Sequence, residues 1–130
     1  MQQEIRGALM KAIQDTKGAF ATVLFEMTGI MVDKVDISGR FNVDHAAMSY
    51  IGVLLAARKA SLDSGGDGVI ANIIVSSNMT HVVFAPVSEN YLVGMGVFLG
   101  GNLGQALLTM RRLKEYLGPL IEGHGEETKA

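Results

Sequence analysis

Apolar residues first recur at helical spacing. Ile5, Ala8, Leu9, Ala12 and Ile13 stand at i, i+3, i+4, i+7 and i+8, one stripe of a helix that Gly18 ends. Two runs with strand character follow, Ala19 to Glu26 and Ile30 to Asp36, and Thr28-Gly29 between them reads as the turn of a hairpin. In the second run Ile30, Val32 and Lys34 alternate with Met31, Asp33 and Val35, the mark of a half-exposed edge strand. After a loop at Gly39 to Asn42, Asn42 or Asp44 is placed to cap a second helix running to about Leu62, where Ser64-Gly65-Gly66-Asp67-Gly68 stops it. Three strands come next, Val69 to Ser76, Thr80 to Val87 and Tyr91 to Leu99, with turns at Asn78 and Glu89-Asn90. A last helix starts near Asn102, carries the stripe Leu103, Ala106, Leu107, Met110, Leu113 and Leu117, and is expected to end at Gly118-Pro119, since proline cannot continue the ladder.

The order of elements is therefore α-β-β-α-β-β-β-α. Short loops within each group of strands force antiparallel neighbours. The segment YLVGMGVFL at 91–99 is apolar on both faces, which places it centrally between helical layers, with Gly94 and Gly96 on one face where a helix could approach closely. The fold class that results is α/β of the α+β type: a three-layer α-β-α sandwich around a five-stranded antiparallel sheet. One domain is expected over residues 1–119. Gln2 to Glu4 read as loose, and residues 120–130 as a flexible C-terminal tail ending in the polar EGHGEETKA.

The helix from Asp44 to Leu62 differs from the other two. On a wheel, one stripe carries Ala47, Ile51, Leu54, Leu55 and Leu62, and a second carries Ala46, Tyr50, Val53, Ala57 and Ala60. Only a narrow sector with His45, Ser49, Gly52 and Lys59 is polar. A helix lying on a sheet needs one apolar face, so the other points to a second subunit, and such a contact would cover about 600–800 Å² per partner. The run Val69 to Ser76 has no charge at all and lacks the lysine or proline that guards an exposed edge, so it is either the edge of a dimer or an interior strand. The expected homodimer interface is Ala46, Tyr50, Val53, Leu54 and Ala57 on the helix, with Ile70, Asn72 and Ile74 on the strand.

Composition narrows the class. Hydrophobic residues make up 48% of the 130 and charged ones 18%, and mean hydropathy is +0.29, too apolar for a disordered chain. The charge-free stretches Ala46 to Ala57 and Val69 to Thr80 are shorter than the roughly 20 residues a spanning helix needs, so no membrane insertion is expected. The N-terminal segment carries Glu4 and Asp15 and has no apolar h-region, so it does not read as a signal peptide. With no cysteine there is neither a disulfide framework nor a thiolate metal site, and a cytoplasmic location is the default. Net charge is −2 with no basic run beyond Arg111-Arg112, and tryptophan is absent, so no nucleic-acid partner is expected.

Candidate chemistry is thin, and no cofactor or catalytic residue is expected. Val93 to Gly100 approaches a dinucleotide fingerprint, but Leu99 holds the third glycine's place and the setting is a hairpin, not a βαβ unit. Gly100-Gly101-Asn102 could present N–H groups to an anion, but reads better as a turn with Asn102 as N-cap. His45, His81 and His124 lack metal-ligand spacing, and the serines lack a nucleophile elbow. Asn78-Met79-Thr80 matches a glycosylation sequon of no consequence inside a cell. Arg111, Arg112, Lys114 and Glu115 read as the solvated side of the last helix, and eight methionines suit adaptable packing.

The segment YLVGMGVFLGGNLGQALLTMRRL, with Gly100, Gly101, Asn102 and Gly104, and the hairpin IIVSSNMTHVVFAPVSENYLV before it, resemble the Roadblock/dynein light chain 7 family. The chain is most similar to its bacterial and archaeal single-domain members, over about residues 3 to 118. The resemblance implies a Roadblock-like (profilin-like) fold. It also implies homodimerisation through the middle helix and third strand into one continuous sheet, and an adaptor or regulator of a small Ras-like GTPase without catalytic residues of its own. Other readings are a small-ligand sensor with a pocket between sheet and helix, or a dimerisation module in a larger complex.

Overall fold

The computed structural model describes residues 1–39 and 42–129, apart from the side chains of 43 and 123–129. The elements are α1 (Gln2–Gln14), β1 (Ala19–Glu26), β2 (Met31–Asp36), α2 (Val43–Asp63), β3 (Ile73–Ser76), β4 (Thr80–Pro86), β5 (Tyr91–Phe98) and α3 (Leu103–Lys129). That is the expected order. Residues 40 and 41 of the loop expected at 39–42 lie outside the described residues, as does the side chain of His124. The strands form one antiparallel sheet in the order β2-β1-β5-β4-β3, so β5 is central and β3 lies at an edge.

Helices α1 and α3 cover one face. Ile5, Leu9, Ala12 and Ile13 of α1 meet Ala106, Met110, Leu113 and Leu117 of α3 over Leu24, Val83, Val93 and Met95 of the sheet. Most of each stripe read from the sequence is buried, with Ala8, Leu103 and Leu107 half-buried beside it, and α1 starts at Gln2, so residues 2–4 belong to a helix. Asn102 caps α3, its side chain accepting from Gln105 N–H at 2.9 Å. Asp33 of β2, 6% exposed, accepts two hydrogen bonds from the Arg6 guanidinium of α1 at 3.0 and 2.5 Å. Its carboxyl is held below the usual carboxylate range, first by the Arg6 bond and also by Lys34 N–H, against the opposing effect of burial.

Helix α3 does not end at Pro119. It continues to Lys129, with Pro119 inside it. The lost N–H bond and ring clash cost about 3 kcal/mol. Against this, Ile121 is buried in the same cluster as Leu117, and Leu120 packs beside it; burying such side chains contributes about 1.5–3 kcal/mol each.

Helix α2 lies alone on the other face. Ala47, Ile51 and Leu54 pack on Val23, Phe25, Val82, Phe84 and Leu92. Asn42, and not Asp44, caps it by accepting from His45 N–H at 3.3 Å. Gly94 and Gly96 face this side, but no helix fills the space at Gly96. A Cβ there would lie 2.6 Å from the ring of Phe20, so the glycine makes room for a neighbouring strand's aromatic side chain. Phe20 in turn stacks on Phe98, ring centres 4.5 Å apart.

Candidate self-association face

The two apolar stripes of α2 divide differently from the wheel. Of the first, Ala47, Ile51 and Leu54 are buried, but Leu55 and Leu62 are exposed by 52% and 59%. These two fall into a heptad-spaced row with Met48, whose end lies against Gly29 in the β1–β2 turn. Of the second stripe, Val53 is 39% exposed, Ala46 and Ala57 are half-buried, and Ala60 is exposed. Helix α2 therefore touches the sheet along one arc and carries an apolar flank on each side of it. A polar crest with His45, Ser49 and Lys59 runs between the flanks.

Of the residues expected in the interface, Leu54 belongs to the protomer's own core and Tyr50 is half-buried against it. Leu54 is fully buried under α2 and offers no surface. Tyr50 packs on Phe84 with ring centres 4.7 Å apart, and burial pushes its phenol above the usual range. The helix pattern alone does not reveal this contact, because Phe84 is 34 residues further along the chain.

The strand expected at 69–76 is shorter than its pattern. β3 covers Ile73–Ser76, paired with β4 as Ile73–Phe84, Ile74–Val83, Val75–Val82 and Ser76–His81. Ser77 N–H donates to Thr80 C=O, and Leu99 N–H donates to Met79 C=O on the opposite side of β4. Backbone groups of successive residues alternate sides along an antiparallel strand. Thr80, Val82, Phe84 and Pro86 thus point toward β3, and Ile73 and Val75 point back at them. The N–H and C=O of Ile74 and Ser76 face outward along the open edge. Residues 69–72 lie outside the ladder, and Ile70 packs with Ile73 against the core under α2. Of Ile70, Asn72 and Ile74, expected in the interface from the sequence, Ile74 is on this outward-facing set, while Ile70 and Asn72 precede the strand. No charged side chain stands between 68 and 80.

Other candidate chemistry is dispersed. Ser76 Oγ lies 2.6 Å from His81 Nδ1, a cross-strand contact that spacing alone did not reveal. It becomes visible only once the hairpin register pairs those two positions. Among the described residues no group of three or more His, Asp or Glu side chains could hold a metal. No described helix is long and apolar enough to cross a membrane. The cavity between α2 and the sheet, lined by Ala46, Ala47, Tyr50, Gly94 and Gly96 among others, measures only about 10 Å³, room for one water at most. A larger open groove of about 430 Å³ runs between α1 and α3, past Gly7, Ala8, Lys11, Arg112 and Tyr116.

No family model and no curated protein matches the chain. Solved structures do. An MglB in a tetrameric arrangement superimposes with a TM-score of 0.85 at 14% identity, over 93% of this chain and 90% of that one. The gliding protein MglB of Thermus thermophilus gives 0.84 at 15% identity, over 93% and 90%. A Roadblock/LC7 domain from Streptomyces avermitilis gives 0.77 at 16%, over 89% and 96%. At these identities the likeness is one of fold, and it extends across the sheet and all three layers: the chain has the Roadblock/LC7 fold.

Proposed function

We propose that this protein is a homodimer that binds and regulates a small Ras-like GTPase in the cytoplasm. It would contribute surface and not catalytic groups. One observation carries the reading: an open, charge-free strand edge lies beside a helix flank of Ala46, Val53, Ala57 and Ala60. Backbone groups on such an edge need partners, and a second β3 run antiparallel about a two-fold axis supplies them. Pairing of the α2 flanks would then cover apolar surface that one protomer leaves in water. The structure of an MglB in a tetrameric arrangement supports self-association in this fold. The GTPase comes from the likeness to Roadblock proteins.

Capture with a panel of small GTPases, loaded with GDP and with a GTP analogue, tests the partner. A regulator retains at least one of them, with affinity that differs between the nucleotide states. Retention of none in either state refutes the GTPase assignment. Sedimentation at micromolar concentration tests the dimer separately. A small-ligand sensor would have to use the groove between α1 and α3, because the cavity under α2 is too small for any metabolite.

A further inference from the structure

Helices α1 and α3 close over the sheet but not over one another. The open groove of about 430 Å³ between them runs from Gly7 to Asp15 along α1, about 12 Å of helix. Its floor is apolar, with Ala12 and Leu113 in the core cluster and Ala8 packed on it. Thr109, the buried hydroxyl of the lining, is already bonded to Thr16 Oγ1 at 2.8 Å. On the α1 wall Lys11 and Asp15 neutralise each other at 2.5 Å.

Arg112 on the α3 wall is different. Arg6, Lys11, Lys34, Lys59 and Arg111 each have a carboxylate partner, whereas Arg112 has none among the described residues. One turn to either side of it stand Leu108 and Tyr116, exposed by 46% and 52%. Gly7 adds a second anomaly. A glycine inside a helix costs about 0.5–1 kcal/mol relative to alanine, yet a Cβ at Gly7 would meet nothing within 4 Å. The chain's own packing does not require that gap, which widens the groove at its α1 rim.

We propose that this groove docks an amphipathic helix of another protein, one with an apolar stripe and a carboxylate placed over Arg112. An extended segment finds no strand to pair with here, because both walls are helices. Over the apolar floor its N–H and C=O groups would lose water without gaining partners. A helix brings its backbone already bonded, and about two of its turns match the length of the groove. Its apolar side chains enter between Ala8 and Leu113, bracketed by Leu108 and Tyr116. The Arg112 guanidinium takes the carboxylate, in a bond that the covering helix shields from water. A small metabolite would need several convergent polar groups, and Arg112 is the one unpaired charge in the lining. The groove lies across the sheet from α2, so this inference needs neither the homodimer nor the GTPase.

Two labelled peptides of about four helical turns test it on the full chain by fluorescence anisotropy. One has leucine along one face and glutamate elsewhere; the other has lysine in place of every glutamate. The glutamate peptide is expected to bind about tenfold more tightly than the lysine peptide. Arg112→Glu should reverse that order, which a general loss of α3 packing would not do. Gly7→Trp fills the groove from a position with open space, so it should melt no lower than the parent and bind the glutamate peptide about tenfold more weakly. Amide shifts caused by the peptide should cluster at residues 7–15 and 108–116.

Binding of neither peptide, equal binding of both, or a preference that Arg112→Glu leaves unchanged overturns the proposal. So does a Gly7→Trp chain that folds like the parent and keeps its affinity, or shifts confined to α2. Octanoate serves as the probe for a small acid. If it moves the same amides at the peptide's own concentration, the groove is a small-acid pocket and the helical occupant is overturned.

Discussion

The two faces of the sheet bury apolar surface in different ways. Under α1 and α3 sixteen hydrophobic residues of the described chain are buried in one cluster, and under α2 only eight. Five strands about 4.8 Å apart span roughly 19 Å between the outermost strands, and a helix with its side chains is about 10 Å wide. Two helices cover such a sheet and one does not. On the two-helix side each helix therefore needs a single stripe, and the remaining positions carry solvent-facing pairs such as Lys11–Asp15 and Arg111–Glu115. On the other side α2 leaves apolar flanks exposed and β3 open. Identical physics gives a finished surface on one side and an unfinished one on the other.

The contrast can be broken from either side. The largest effect is expected from Leu9→Ala in α1 and Leu54→Ala in α2, both fully buried. Each should cost about 2–5 kcal/mol of folding stability in urea titration. A Leu54→Ala variant that loses dimer but no stability would return Leu54 to the interface. Val53→Glu comes next. It should weaken self-association at least a hundredfold, about 3 kcal/mol, while unfolding changes by less than about 1 kcal/mol. Light scattering that finds a well-folded dimer in this variant removes the Val53 flank from the interface. Tyr50→Glu is a poorer probe, because Tyr50 also packs on Phe84.

Gly96→Ala should cost about 1–3 kcal/mol, since its methyl meets the Phe20 ring inside van der Waals distance. An unchanged melting temperature would mean that the ring moves aside freely. The Arg6–Asp33 pair ties α1 to the edge strand β2 and sets the acid behaviour of the two-helix side. The Asp33 carboxyl is held below its unfolded value, so its stabilisation is full above about pH 4 and is lost as pH falls through the folded value. Arg6→Met should lower stability at neutral pH and flatten the stability profile below pH 4, read by denaturation at several pH values. The smallest effect is assigned to the exposed Lys59–Asp63 pair, where Lys59→Ala should change stability by less than about 0.5 kcal/mol.

Much of this architecture was legible in the sequence, for local reasons. The stripes of α1 and α3, the hairpin at Thr28-Gly29 and the caps at Asn42 and Asn102 depend on residues within a few positions of one another. The two-sided apolarity of 91–99 correctly marked the central strand. The failures had distant causes. β3 is shorter than its pattern because the ladder to β4 ends at the Ile73–Phe84 pair. Helix α3 passes through Pro119 because Ile121 finds the core. Leu55 and Leu62, apolar and correctly spaced, are exposed because the sheet beneath α2 is touched along one arc only.

By itself the sequence determined the order of elements, the layer to which each helix stripe points, and the existence of surplus apolar surface on the middle helix. Those follow from periodicity and short-range hydrogen bonding, which are properties of neighbouring residues. Which residues make up that surplus was decided by the tertiary structure. Phe84 draws Tyr50 inward, and Leu54 sinks into the core beside Val82 and Leu92. These are meetings between residues some 30 to 40 positions apart, and only the packed sheet brings them together.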